Sequence, residues 1–208
     1  MTPKLPKGWL RSHRRDYYYR EAKIQEYRSR ASFKLLQAVE QYGFIQLGNV
    51  VVDLGAAPGG WLQVASEIVS EKGFVLGVDT KEIEPLGTTN VYAMMGDITD
   101  PETTKRIRAI LPRPADVVIS DVSPNVSGVW EVDHARQVEL AEHSLFIAAS
   151  VLNAGGCFYV KVFQGDIFNH FLELMRKSFS VVKVFKPQAS RSESAEIYVV
   201  GLDYIGSR

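Results

Sequence analysis

Val51-Val52-Asp53-Leu54-Gly55-Ala56-Ala57-Pro58-Gly59-Gly60-Trp61 joins a β-branched apolar run to a glycine-rich turn and then to a helix-forming stretch. A strand, a turn and a helix in that order bring backbone N–H groups and a helix N-terminus to the carboxyl end of the strand, where open α/β sheets bind ligands. Gly55 and Gly59 allow a tight turn and a close approach of ligand to backbone. The stretch departs from the G-x-G-x-x-G dinucleotide fingerprint, because Ala57 stands at the second glycine position and Pro58 follows it. A closely held pyrophosphate is therefore disfavoured, and a nucleoside-type cofactor without phosphates, which needs only a rigid turn and a few donors, fits better.

On either side of this stretch the pattern is regular. Apolar runs at 50–54, 74–79, 91–95, 117–121 and 157–162 show little alternation, as in parallel strands buried on both faces. Between them, residues 61–70, 101–111 and 134–152 read as helices, the rhythm of an α/β open sheet. Two further strand-like runs, 180–185 and 197–202, are joined by the polar, helix-poor segment 186–196, which suits an antiparallel pair. The expected fold is thus Rossmann-like α/β: a mostly parallel seven-stranded sheet with a C-terminal antiparallel hairpin and helices on both faces. Ahead of it, residues 31–42 place Phe33, Leu35, Leu36 and Val39 on one side of a short helix that Gly43 ends, with Ser32 as a capping candidate.

At 208 residues with 46% apolar composition, the chain can bury one core. The expected organisation is a basic, aromatic arm over residues 1–27 and a single domain over 28–208. The single cysteine, Cys157, excludes an internal disulfide framework and fits a reducing compartment, and His13, His134, His143 and His170 lack metal-ligand spacing. No apolar run approaches the roughly 20 residues of a membrane span and no signal-peptide core precedes the domain, so a soluble, cytoplasmic protein without a metal is expected.

Net charge is zero but unevenly placed: residues 1–34 hold ten Lys/Arg against Asp16, Glu21 and Glu26, leaving that segment at +7 and the remainder at −7. Trp9, Tyr17, Tyr18, Tyr19, Tyr27 and Phe33 are interleaved there, a mixture suited to phosphate contacts and base stacking. An ordinary solvated basic arm is the alternative. Arg20, Lys23, Arg28 and Arg30 are the candidate RNA contacts; Arg28 and Arg30 could instead pair with Glu26 and Glu21 on a helix surface.

Acidic residues follow the strands at telling places. Asp79, at the end of the second strand, is placed to take both hydroxyls of a ribose, or to cap a helix before Lys81. Asp97, in Gly96-Asp97-Ile98, could accept from an adenine amino group or serve a turn. Asp53 is either a ligand contact or an inward carboxylate satisfying loop N–H groups, and Trp61 either borders the ligand or belongs to the core.

Lys161 lies inside Cys157-Phe158-Tyr159-Val160-Lys161-Val162-Phe163, an expensive place for a charge without a purpose or partner. It either faces water from an edge strand or is a buried amine able to take a proton. Lys34 would add a second cation, with Asp121 and Glu196 orienting and balancing both.

Five blocks carry a resemblance to a known family: Arg28-Ser29-Arg30-Ala31-Ser32-Phe33-Lys34-Leu35; residues 52–61; Ser120-Asp121-Val122-Ser123-Pro124-Asn125-Val126-Ser127-Gly128; Val160-Lys161-Val162-Phe163-Gln164-Gly165; and Arg191-Ser192-Glu193-Ser194-Ala195-Glu196-Ile197-Tyr198. In this order they resemble the FtsJ/RrmJ family of RNA ribose 2′-O-methyltransferases. The resemblance implies S-adenosyl-L-methionine as cofactor, with contacts at Gly55, Gly59, Trp61, Asp79, Asp97 and Asp121. It implies Lys161 as proton acceptor in a set completed by Lys34, Asp121 and Glu196, the last chosen over Glu193 because it directly precedes the final strand. Methyl transfer from a sulfonium to a ribose hydroxyl needs in-line alignment and removal of a proton from a poorly acidic alcohol, which suits a partly neutral lysine. The implied partner is RNA rather than DNA or a membrane: a uridine of large-subunit (23S) ribosomal RNA in the 50S particle, or alternatively a transfer RNA anticodon loop, met by a monomeric enzyme. A nicotinamide oxidoreductase and a non-catalytic RNA-binding protein are the readings from other classes, disfavoured by Ala57-Pro58 with the terminal hairpin and by the four polar site residues respectively.

Overall fold

The computed structural model of the chain describes residues 17–191 and 193–206. Residues 17–24 form helix α1. The elements that follow are α2 (Ser32–Tyr42), β1 (Val50–Leu54), α3 (Gly60–Val69), β2 (Phe74–Asp79), β3 (Val91–Met95), α4 (Pro101–Ile110), β4 (Ala115–Ser120), α5 (Trp130–Val151), β5 (Leu152–Phe163), α6 (Phe168–Ser178), β6 (Phe179–Phe185) and β7 (Glu196–Tyr204). They build one seven-stranded sheet in the order β3-β2-β1-β4-β5-β7-β6. Strands β1 to β5 run parallel, whereas β7 is inserted antiparallel between β5 and β6.

Burial on both faces explains the run-like strands. All five residues of β1 are buried; Val50, Val52 and Leu54 join a core with α4, α5 and α6, while Val51 joins the opposite core with α2 and α3. Strand order reverses between β1 and β4, and this switch point opens a crevice at the carboxyl ends of the parallel strands. The two strand ends touch there: the Asp121 N–H donates to Leu54 O at 3.2 Å.

Several boundaries differ from the sequence expectation for identifiable reasons. Helix α6 lay outside it, although Phe168, Phe171, Leu172 and Met175 recur at helical spacing and are buried together. Helix α5 begins at Trp130 rather than 134 because the Asp133 carboxylate accepts from Ser127 N (2.7 Å) and Gly128 N (3.1 Å), folding the preceding loop onto the first turn. Strand β5 begins at Leu152, with an irregular register before Cys157. Ser32 is not a cap: α2 has no side-chain cap, and the Ser32 hydroxyl donates to Gly60 O at 3.0 Å.

The arm expected over residues 1–27 is divided by the structure. Residues 17–27 pack on the domain: Tyr18 and Tyr27 meet the Phe33 ring at 5.4 and 5.8 Å, Gln37 donates to the Tyr18 hydroxyl at 2.9 Å, and Tyr27 donates to Glu67 at 2.8 Å. Residues 1–16, with the rest of that expectation, lie outside the described residues.

Candidate active site

Strand register creates the polar centre. In the antiparallel β5–β7 pair Lys161 stands opposite Tyr198 and Phe163 opposite Glu196, so the side chains of each pair project from the same side of the sheet. Lys161, only 4% exposed, donates from Nζ to Asp121 O at 2.7 Å and to the Ser123 hydroxyl, and lies 3.2 Å from Asp121 Oδ1. Tyr198 donates its hydroxyl to the same Oδ1 at 2.8 Å and accepts from Lys34 Nζ at 3.0 Å. Lys34, projecting from the buried face of α2, completes the line with Glu196 Oε1 at 2.7 Å, which also accepts from Ser190 at 3.0 Å. The unbroken sequence of contacts is Glu196–Lys34–Tyr198–Asp121–Lys161, drawn from α2, β7 and the ends of β4 and β5.

Formal charges in this line sum to zero, the condition for keeping ionic groups in a dry site. Burial alone would push the Asp121 carboxyl up, but the nearby Lys161 and Lys34 charges and the Tyr198 hydroxyl hold it below its ordinary value. Burial pushes the Tyr198 phenol well up, reinforced by Asp121 and Glu196, so it remains a donor. The sequence thus marked all four charged members, and the structure brings them together. It missed Tyr198 and Ser123, whose roles depend on cross-strand register and loop path.

The glycine turn lies beside this centre. Gly55 and Gly59 have φ of +77° and +108°, which glycine adopts without a steric penalty. Their small size serves the protein itself: a Cβ at 55 would come within 2.8 Å of Val122, and one at 59 within 2.9 Å of the Arg28 guanidinium. Gly59 stands at the N-cap of α3 with no side-chain cap, leaving the first N–H groups of that helix, Trp61 among them, without partners inside the helix. The Trp61 ring is buried, stacked on Tyr159 at 5.4 Å, and donates to Ala31 O at 2.7 Å. A ligand at this turn would therefore meet the Trp61 backbone, not its ring.

Two carboxylates adjoin the turn, and a third lies beyond β3. Asp79 Oδ2 accepts from Ala57 N at 2.9 Å and Oδ1 from Lys81 N at 2.9 Å, so it braces the turn and caps no helix. Asp53 is fully buried, and neither of its oxygens has a hydrogen-bond partner among the described residues; the expectation that it satisfies loop N–H groups is corrected. Burial pushes its carboxyl well up, and the negative charges of Asp121 and Asp79 add to that. The Asp79 carboxylate beside the turn disfavours a pyrophosphate there and suits a ligand carrying positive charge. Asp97 is exposed beyond β3, and Thr99 donates to its Oδ1 from N (2.9 Å) and Oγ1 (2.7 Å), which holds the carboxyl low and ionised.

Of the basic candidates, Arg28 is turned inwards: its guanidinium donates to the carbonyls of Pro58 (3.1 Å), Glu84 and Pro85 (2.8 Å), clamping the turn to the loop after β2. Three of the guanidinium's five N–H groups are thus engaged with backbone rather than with a helix-surface glutamate. Arg20 and Lys23 are exposed on α1, with Lys23 Nζ 4.8 Å above the Tyr19 ring, and Arg30 is half-buried. Among the described residues no group of acids, histidines and cysteines could hold a metal ion, and no helix is long and apolar enough to cross a membrane.

Known proteins resemble this chain in sequence and fold. A family model described as FtsJ-like methyltransferase matches residues 27–204. A Methanococcus vannielii protein named ribosomal RNA large subunit methyltransferase E is 50% identical over 205 residues, spanning 99% of this chain and 79% of its own. One of the same name from Methanosarcina acetivorans is 53% identical over 193 residues, spanning 92% and 70% respectively. A crystal structure from Plasmodium falciparum, provisionally assigned as a ribosomal RNA methyltransferase, aligns with a TM-score of 0.77 at 28% identity and covers 86% of this chain and 100% of that one.

Proposed function

The chain belongs to the FtsJ-like methyltransferase family, and from that premise we propose that it methylates a ribose 2′-hydroxyl of large-subunit ribosomal RNA, using S-adenosyl-L-methionine and Lys161 as the general base. The observation that carries this reading is the position of Lys161: a nearly buried amine at the carboxyl end of β5, held by Asp121 and Ser123 and linked through Tyr198 to a second lysine. The relatives' name favours large-subunit ribosomal RNA over the transfer RNA alternative.

The residues at the turn fit the cofactor. Asp79 and Asp97 would accept from ribose hydroxyls and an adenine amino group, the uncapped α3 N-terminus would offer donors to a carboxylate, and the Asp79 and Asp121 carboxylates would suit an ammonium and a sulfonium. Bound adenosylmethionine would supply an electrophilic methyl group. Lys161 Nζ has three acceptors, as an ammonium requires: Asp121 O, Asp121 Oδ1 and Ser123 Oγ. The neutral amine keeps two hydrogens, so one contact is released and its lone pair can accept the 2′-hydroxyl proton as the oxygen attacks. Lys34 is fixed by Glu196 and Tyr198, while Asp121 keeps the Lys161 amine in place. Transfer would leave the ribose oxygen methylated, the departing sulfur as a neutral thioether and the proton on Lys161.

A pyrophosphate-bearing nicotinamide cofactor is opposed by the same carboxylates, and burying four charged groups without a use would be costly. We further propose that the protein acts in the cytoplasm as a monomer on the 50S particle. Mapping 2′-O-methyl sites in total RNA with and without the protein tests the function. A single large-subunit position that loses its methyl is the expected result; an unchanged ribosomal RNA pattern would overturn it.

A further inference from the structure

The rim of the site carries an aromatic stack that the lysine chemistry does not use. Trp130, the first residue of α5, stacks with His134 at 5.5 Å between ring centroids and 11° between planes, and with Phe163 at 6.1 Å and 16°. His134 is buried and packs tightly on Gly165, where a Cβ would come within 2.6 Å of its ring. Trp130 keeps 46% of its surface exposed. The indole is thus rigidly backed yet open.

Two paths tie it to the reacting centre. Phe163 is two residues beyond Lys161 on β5, so both project from the same side of the strand, about 7 Å apart along it. The loop leaving β4 carries Ser123, which contacts Lys161 Nζ, and runs on to Trp130 through Ser127 and Gly128, both held by Asp133.

We propose that Trp130, backed by Phe163 and His134, is the stacking platform for the unpaired base of the nucleotide whose ribose is presented to Lys161. This rests on the ribose-methylation reading. A 2′-hydroxyl can reach a nearly buried amine only when its nucleotide leaves the helical stack, and the stacking lost in RNA is replaced on an aromatic surface one step from the base. Base–aromatic stacking tolerates any base, so Trp130 positions the nucleotide and does not select it. It is a positioning residue.

The test uses the full chain and ribosomal RNA fragments containing the mapped methylation site. Trp130→Ala is expected to raise KM for RNA about five- to a hundredfold, with adenosylmethionine affinity unchanged, and Trp130→Tyr is expected to recover most of the loss. A fluorescent base analogue at the methylated position should be quenched on binding the unsubstituted protein but not the Ala variant. An unchanged KM, a failure of Tyr to rescue, loss of adenosylmethionine binding, or quenching only at a neighbouring position would overturn the assignment. If the unsubstituted protein methylates no ribose, the underlying reading falls and this one with it.

Discussion

Asp53 shows how a single side chain couples the site to folding. Its carboxyl is pushed well above the ordinary 3.8 by burial and by Asp121 and Asp79, so the folded chain keeps a proton that the unfolded chain has released. Between the two pKa values stability therefore falls as pH rises, by about 1.4 kcal/mol per unit for one proton. Asp53→Asn removes that slope: in urea unfolding its stability relative to the unsubstituted protein is expected to rise from pH 5 to pH 8, and parallel curves would refute the protonated acid. Tyr198→Phe removes the hydroxyl between Lys34 and Asp121, and is expected to cost about 1–3 kcal/mol because buried partners lose a hydrogen bond. An unchanged urea midpoint would mean that the link carries no energy. Lys34, Asp121, Lys161 and Glu196 were legible in the sequence because a charge within an apolar run or at a strand end demands a reason. Tyr198 and Ser123 were not, since a tyrosine in a strand and a serine in a loop are unremarkable until register and loop path bring them to an amine.

The turn between β1 and α3 is held from outside by residues 26–32. Arg28 ties it to the Pro58, Glu84 and Pro85 carbonyls, its N–H donates to Gln63 at 2.7 Å, and Ser32 reaches Gly60 O. Arg28→Ala is expected to weaken adenosylmethionine binding about tenfold, the order of one or two charged hydrogen bonds, while leaving turnover at saturating cofactor nearly unchanged. Isothermal titration reads both this loss and the cofactor class; tight NADH binding by the unsubstituted protein would contradict the acidic-site argument. The strand–turn–helix unit was plain in the sequence because apolar runs and glycines act locally. The glycines' reason was not: Gly55 and Gly59 make room for Val122 and Arg28, residues distant in the chain. Helix α6 carries its signal in Phe168, Phe171, Leu172 and Met175, but the stronger strand patterns flanking it mask that spacing.

The sheet order β3-β2-β1-β4-β5-β7-β6 unites these elements, because it places the ends of β1, β4 and β5 and the start of β7 at one rim. The antiparallel entry of β7 is what sets Glu196 and Tyr198 beside Lys161. The alternation of runs made the parallel sheet and its terminal antiparallel pair foreseeable; the packing of residues 17–27 onto α2 and α3 was hidden by their basic, solvent-like composition. Charge is also distributed on this scale, with Lys4, Lys7, Arg11, Arg14 and Arg15 against Asp16 in residues 1–16. Deleting those residues, which spares the helix packed on the domain, is expected to weaken RNA binding and flatten its dependence on salt; an unchanged slope would remove them from the interface. The central claim, that Lys161 takes the proton from a ribose hydroxyl, meets its most direct test in single-turnover transfer of labelled methyl from adenosylmethionine to large-subunit ribosomal RNA, with the label located by digestion. The unsubstituted protein is expected to leave it on a ribose 2′-oxygen, and Lys161→Ala to bind the cofactor normally yet transfer at least about a hundredfold more slowly; label on a base, or near-normal transfer by the variant, would contradict it.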